Sequence, residues 1–259
     1  MVGITIIMKK AKKFAKLLVI SCLSLLLINC STDRTSKNPT YIISKTESKQ
    51  LTDKDIFDDE FDKEITDYDI EYAAKQAKNG FFVPLNSSII LVQSGATVPD
   101  AFMQAEFSKY YHVSVYNGVP QTKHLPSNRK NKDLSNNFNN SYMKKLRFIA
   151  AKGGQDTIIV YWGTIEKGVL DKKTNVINWT PYDGNKLSNE TKFLRYLLKF
   201  TLVDVVTGNW STYFPANIEV DYIIPKKSSD ESAESQIDQL IRKTYSNSAL
   251  LLMERYKIK

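Results

Sequence analysis

The sequence predicts an α/β fold: a mixed sheet flanked by helices, with a long C-terminal β-hairpin and a closing helix. Three observations predict it. The continuous apolar runs Ile89-Ile90-Leu91-Val92 and Thr157 to Trp162 have the character of strands buried on both faces. Stretches with helical spacing of apolar residues separate these runs, as alternating β and α elements require. From Thr191 onward the pattern becomes extended, turns at Thr207-Gly208-Asn209, and ends in a last helical period.

The elements follow in order. Asp53 to Asp69 holds nine acids and two lysines, and reads as a solvated helix face with Ile56, Phe57, Phe61 and Ile65 beneath it. Asp53, Asp55 and Glu64 match positions 1, 3 and 12 of a calcium-binding EF-hand loop. Phe57 and Asp58 stand where a ligand and the turn glycine are needed, so a helix is the better reading. Thr66 can cap a helix to Lys78, with Asp69 three residues on and Gly80 just past its end. Ser88 to Gln93 is a strand, Gly95 turns the chain, and Pro99-Asp100 opens a helix to about Tyr111. His112 to Tyr116 is the next strand, and a basic, Asn-rich loop spans Val119 to Asn140.

Ser141 starts a helix with Tyr142, Met143, Leu146, Ile149 and Ala150 on one face, ended by Gly153-Gly154. Val176 to Pro181 and Thr191 to Asp204 are extended. The second places Phe193, Leu194, Tyr196, Leu197, Phe200, Leu202 and Val203 along it, and Trp210 to Phe214 returns as its hairpin partner. After a polar break from Lys226 to Glu231, the last helix buries Ile237, Leu240, Ile241, Ala249, Leu252 and Met253. No internal repeat is visible.

Composition supports a packed domain, with 42% hydrophobic residues, 14 tyrosines, 12 phenylalanines and 3 tryptophans in 259 residues. The formal charge of +8 suggests nucleic acid, but residues 1–29 hold five lysines and no acid. Without them the basic surplus falls to three, and the case for nucleic acid goes with it. The two cysteines, Cys22 and Cys30, both lie in or beside the N-terminal apolar segment, so the rest of the chain can form neither a disulfide nor a cysteine metal site.

That segment begins with the basic run Met8-Lys9-Lys10-Ala11-Lys12-Lys13-Phe14-Ala15-Lys16, continues through Leu17 to Ile28, and ends at Asn29-Cys30. As a helix this twelve-residue apolar run, broken only by Ser21, Cys22 and Ser24, reaches roughly 18 Å, short of a hydrocarbon core of roughly 30 Å. It suits a signal peptide, with Met8 the expected start. Leu27-Ile28-Asn29-Cys30 resembles the lipobox of bacterial lipoproteins, with Asn29 in place of the usual small residue. The resemblance implies diacylglycerol on the Cys30 sulfur, cleavage before Cys30 and acylation of its new amino group. Two or three acyl chains, at roughly 0.8 kcal/mol per buried CH₂, make a firm anchor. Ser31 follows, and by resemblance to the sorting rule of enteric bacteria this points to the outer membrane, facing the periplasm. The expected organisation is a signal peptide over 1–29, a flexible tether over 30–52 and one α/β domain over 53–259.

Two further stretches carry a resemblance. Ala150 to Ile165, with Gly153-Gly154 before the strand and Tyr161-Trp162-Gly163 within it, is one. Leu202-Val203-Asp204-Val205-Val206-Thr207-Gly208 is the other. With Ile90 to Gly95 they resemble the domain shared by the curli secretion lipoprotein, the penicillin-binding-protein activator LpoB and the N-terminal part of TolB, over roughly residues 85–255. The chain also looks like lipoproteins containing Val92-Gln93-Ser94-Gly95-Ala96, Pro99-Asp100 and Tyr161-Trp162-Gly163, some of which carry the name aminopeptidase. These motifs speak to fold more than to activity.

The residues offer little for catalysis. Only His112 and His124 exist, and no His-Glu-x-x-His is present for a metallopeptidase. There is no Gly-x-Ser-x-Gly elbow and no glycine-rich phosphate loop. Ser141-Tyr142-Met143-Lys144 matches Ser-x-x-Lys, but without a Lys-Thr-Gly strand Ser141 reads as a helix cap. Lys123, Arg129, Lys130 and Lys132, followed by Lys144, Lys145 and Arg147, read first as a solvated, Asn-rich basic stretch; the alternative is contact with anionic lipid or an acidic partner patch, which weakens as salt rises. Trp162, Trp179 and Trp210 read as sheet residues. The sequence therefore points to a membrane-anchored, non-enzymatic interaction or assembly module with an envelope protein as partner and no catalytic, metal or cofactor residues assigned. A hydrolase of the aminopeptidase kind is the alternative. A pore subunit needs longer membrane hairpins than Val176–Pro181 and Thr191–Phe214 provide.

Overall fold

The computed structural model describes residues 50–61, 64–120, 142–227 and 231–257. All belong to the second of the two units into which the chain divides, Tyr41–Lys259. The expected signal peptide, Cys30, most of the basic loop and Ser141 lie outside the described residues. The elements are α1 (Asp53–Phe61), α2 (Asp67–Ala77), β1 (Ser88–Gln93), α3 (Ala101–Phe107), β2 (His112–Tyr116), α4 (Tyr142–Lys152), β3 (Thr157–Leu170), β4 (Ile177–Pro181), β5 (Thr191–Asp204), β6 (Trp210–Tyr213), β7 (Ile218–Asp221) and α5 (Ala233–Tyr256).

The seven strands form one mixed sheet in the order β2-β1-β3-β5-β6, with β4 also on β3 and β7 also on β5. β1 pairs in parallel with β2 and β3, whereas β3 and β5 run antiparallel along nearly their whole length. At 14 residues each, these two make a ribbon of about 45 Å. Its near half carries β1 on one edge and β6 on the other; its far half carries β4 and β7.

The parallel part explains where the helices lie. The step from β1 to β2 and the step back across β1 to β3 run in opposite directions along the sheet. Right-handed crossovers then place α3 and α4 on opposite faces. Strand alternation matches this. Ile89, Leu91, Ile159, Tyr161, Ile165, Leu194, Tyr196, Leu198, Phe200 and Leu202 meet Met103 and Phe107 of α3 and the apolar face of α5. Ile90, Val92, Ile158, Val160 and Val203 meet Leu51, Ile56, Met143, Leu146 and Ala150 on the other side.

Most predicted elements are present, with several changes. β3 does not stop near Trp162 but continues to Leu170. α3 ends at Phe107 rather than near Tyr111, because the chain tightens there into three-residue turns, the Lys109 amide bonding the Glu106 carbonyl and the Tyr110 amide that of Phe107. β7 has no counterpart in the expected element order. α1 forms with Ile56 buried, but Ile65 lies beyond its end and is exposed. Ile149 is exposed too, while Met143, Leu146 and Ala150 form the buried face of α4. Thr66 caps α2 with the reciprocal Asp69 bonds expected.

One buried group makes its own contribution to the alkaline behaviour of the domain. The Tyr111 side chain packs beside Phe107, and its hydroxyl has no hydrogen-bond partner among the described residues. Burial, with a smaller contribution from Tyr110, pushes its pKa from 10.0 up to about 12. The neutral phenol is favoured in the folded state, so its stabilisation is complete below pH 10 and is lost as pH rises from 10 through 12. The loss amounts to about 3 kcal/mol. A Tyr111→Phe variant followed by denaturant unfolding should be at least as stable at neutral pH and decline less above pH 10; an unchanged decline contradicts this assignment.

Candidate functional site

The residues that stand out in the sequence are occupied by the architecture. Gln93 ends β1, and its Oε1 accepts hydrogen bonds from the Asp100 amide at 2.8 Å and the Tyr161 hydroxyl at 2.9 Å. Asp100 in turn caps α3, accepting from the Phe102 amide at 2.8 Å. Ser94 Oγ accepts from the Leu51 amide at 2.8 Å, so the strand end also holds the incoming chain. Gly95 sits at φ +81°, a turn conformation that favours glycine. Gln93, Ser94 and Asp100 of the Val-Gln-Ser-Gly and Pro-Asp motifs thus help to join β1, α3 and the start of the domain.

Tyr161-Trp162-Gly163 acts similarly. Tyr161 closes the Gln93 cluster from β3. Trp162 points to the opposite face, where its Nε1 donates to the Leu51 carbonyl at 2.9 Å and Lys199 lies 4.9 Å from its ring. Gly163 leaves space for Tyr196, whose ring crosses the missing side chain and whose hydroxyl meets that of Tyr245 on α5 at 3.1 Å. The Leu-Val-Asp-x-x-Thr-Gly stretch forms the β5–β6 turn. There Asp204 Oδ1 accepts from the Thr207 amide at 2.6 Å and its hydroxyl at 2.8 Å, and Gly208 takes φ +78°.

Two surfaces remain. The first is the face of the far ribbon opposite α5, where pairing aligns Glu166 with Arg195, Gly168 with both Phe193 and Trp179, and Arg195 with Glu219. The Arg195 guanidinium donates to Glu166 at 2.6–2.7 Å, lies 3.5 Å from Glu219 and covers the Trp179 ring at 4.0 Å. Sequence reasoning missed this cluster; the only signal was the alternation of β3 and β5, which gives faces but not register. At its far end Leu170, Phe193 and Tyr222 line an open groove with Lys172, Glu190 and Asp221. In the adjoining β3–β4 turn, the amides of Lys173 and Thr174 hold the Asp171 carboxyl below its usual pKa.

The second surface is α4. Lys144 and Lys145 are exposed, whereas Arg147 is turned to the β5–β6 hairpin and donates to the carbonyls of Val205 and Val206 at 3.0 and 2.8 Å. The other predicted residues are dispersed. His112 is exposed at the start of β2, and Trp210 is part-exposed against Phe57. Asp53 pairs with Lys199 at 3.1 Å and Asp55 accepts from the Thr52 amide, so these acids serve α1 and its cap rather than a cation loop. Among the described residues no three His, Cys, Asp or Glu side chains converge, and no helix is long and apolar enough to cross a membrane. Lys123, His124, Arg129, Lys130 and Lys132 lie outside the described residues.

Comparison with known proteins adds two findings. A family model described as YafT bacterial lipoprotein matches residues 52–255. Among solved structures, the crystal structure of a neuraminyllactose-binding hemagglutinin homolog from Helicobacter pylori aligns at 13% identity, covering 68% of this chain and 86% of that one with a TM-score of 0.25. None of the curated proteins matches the chain.

Proposed function

We propose that this chain, which belongs to the YafT bacterial lipoprotein family, is held to the outer membrane by acyl groups on Cys30 and presents its domain to the periplasm as a non-enzymatic interaction or assembly module. The observation that carries the second part is the use made of the motif residues. Gln93, Ser94, Asp100, Tyr161, Trp162 and Asp204 all make hydrogen bonds that cap, turn or join elements of the fold. Nothing among them is left poised as a nucleophile beside a base. The sequence resemblance to the domain of the curli secretion lipoprotein, LpoB and TolB supports the same reading, since it concerns exported, partner-binding proteins. An envelope protein is the expected partner.

A photo-crosslinking residue at Thr164, exposed on the uncovered ribbon face, tests the reading in intact cells. A single envelope protein trapped there, together with no chelator-sensitive peptide hydrolysis by the purified protein, is the expected outcome. Robust metal-dependent turnover of peptides would overturn it in favour of a hydrolase.

A further inference from the structure

We propose that the outer face of α4 rests on the anionic surface of the membrane, so that the domain lies against the bilayer in one orientation; this rests on the lipid-anchor reading above. Along α4, Met143, Leu146 and Ala150 are buried, while Lys144, Lys145, Phe148, Ile149 and Lys152 are exposed. At about 100° per residue those five share one arc of roughly 140° directly opposite the buried side. Phe148 is 62% exposed and Ile149 42%, and Lys152 lies 4.7 Å from the Phe148 ring. Lysines flanking an exposed aromatic and an aliphatic on one helix face suit the boundary between headgroups and acyl chains.

Charge and connectivity select a lipid surface as the occupant. α4 carries Lys144, Lys145, Arg147 and Lys152 and no acid, whereas residues 30–259 as a whole exceed balance by only three basic groups. The helix alone thus carries four basic groups and no acid, more than the net surplus of the whole of residues 30–259. Arg147 also ties the β5–β6 turn, where Val206 is 84% exposed, to α4. The chain reaches the domain on this side too. Leu51 and Ile56 pack among Met143, Leu146 and Ala150, and the twenty residue-to-residue steps from Cys30 to Gln50 span at most about 70 Å. Of the acids of the neighbouring α1, Asp53 pairs with Lys199 and Asp55 closes the Thr52 cap, while the side chains of Asp58, Asp59 and Glu60 lie outside the described residues.

The test uses the lipidated full-length chain in vesicles of phosphatidylcholine alone or with added phosphatidylglycerol. An Ile149→Cys variant carries a polarity-sensitive fluorophore, Cys30 being blocked by its acyl groups. Leu250→Cys, exposed on α5 across the sheet, serves as the control. Flotation with vesicles reports the anchor, and the fluorophore reports docking. The expected result is a blue shift at position 149 only with phosphatidylglycerol, reversed by added salt, and absent at position 250. Replacing Lys144, Lys145 and Lys152 by glutamine weakens docking by about fivefold per lysine, on the order of a hundredfold together. A label that floats but is indifferent to phosphatidylglycerol overturns the proposal, as does an equal shift at position 250. A label shielded in cells but never on vesicles also overturns it, and assigns the face to an acidic protein.

Discussion

A Cys30→Ala variant takes up no fatty-acid label and accumulates as an unprocessed precursor. The thiol is the acceptor for diacylglycerol in the lipobox reading, and cleavage before residue 30 follows that transfer, so both steps stop together. The energetic effect is large. One acyl chain of ordinary length gives only marginal membrane binding, whereas two or three bury enough CH₂ groups, at roughly 0.8 kcal/mol each, to make release negligible. Among the described residues no helix is long and apolar enough to span a bilayer. Metabolic labelling with a fatty-acid analogue, read beside gel mobility, checks both parts. Persistent label on the alanine variant would place the acyl group elsewhere.

Gly163→Ala destabilises the domain by about 3 kcal/mol, at the upper end for overpacking a core. A Cβ at residue 163 would overlap the Tyr196 hydroxyl and lie 2.5 Å from its Cζ. Tyr196 cannot swing aside freely, because it is 2% exposed, packs edge-on to Tyr245 at 5.6 Å and shares a hydrogen bond with it. For a domain of this size the loss lowers Tm by about 10 °C. The specific signature is coupling. In a double-mutant cycle with Tyr196→Ala, the Gly163→Ala penalty should largely vanish, since the clash has no partner. Equal penalties in both backgrounds would show that the ring over Gly163 is not what requires glycine.

These cases show what a single chain reveals about its fold. β1 and β5 have the bounds their apolar patterns predict, and the α5 residues spaced for burial are buried, because period and hydrophobicity are local properties. The extension of β3 past Gly163 is not local. A glycine after Tyr-Trp reads as an exit until Tyr196, 33 positions away, is seen lying across it. β7 is four residues long between Pro215 and Pro225, too short for its alternation to register. Ile149 sits at the margin of the helical arc, where a period of 3.6 does not decide between core and surface.

The candidate surfaces divide in the same way. The basic character of α4 is legible because Lys144, Lys145 and Lys152 are close in sequence. That Arg147 is drawn away to the Val205 and Val206 carbonyls is not, since it depends on where the β5–β6 turn lands. The Arg195, Glu166 and Trp179 cluster joins three strands, and only their register brings it together. Cys30 is the opposite case, a site read wholly from its flanking residues and lying outside the described part of the molecule.

The most direct test of the account is the intact mass of the N-terminal fragment from protein extracted from membranes. A fragment whose first residue is Cys30, heavier by a diacylglycerol and one further acyl group, is the predicted result. A mature chain beginning at any other residue, or bearing a free thiol at position 30, would contradict it.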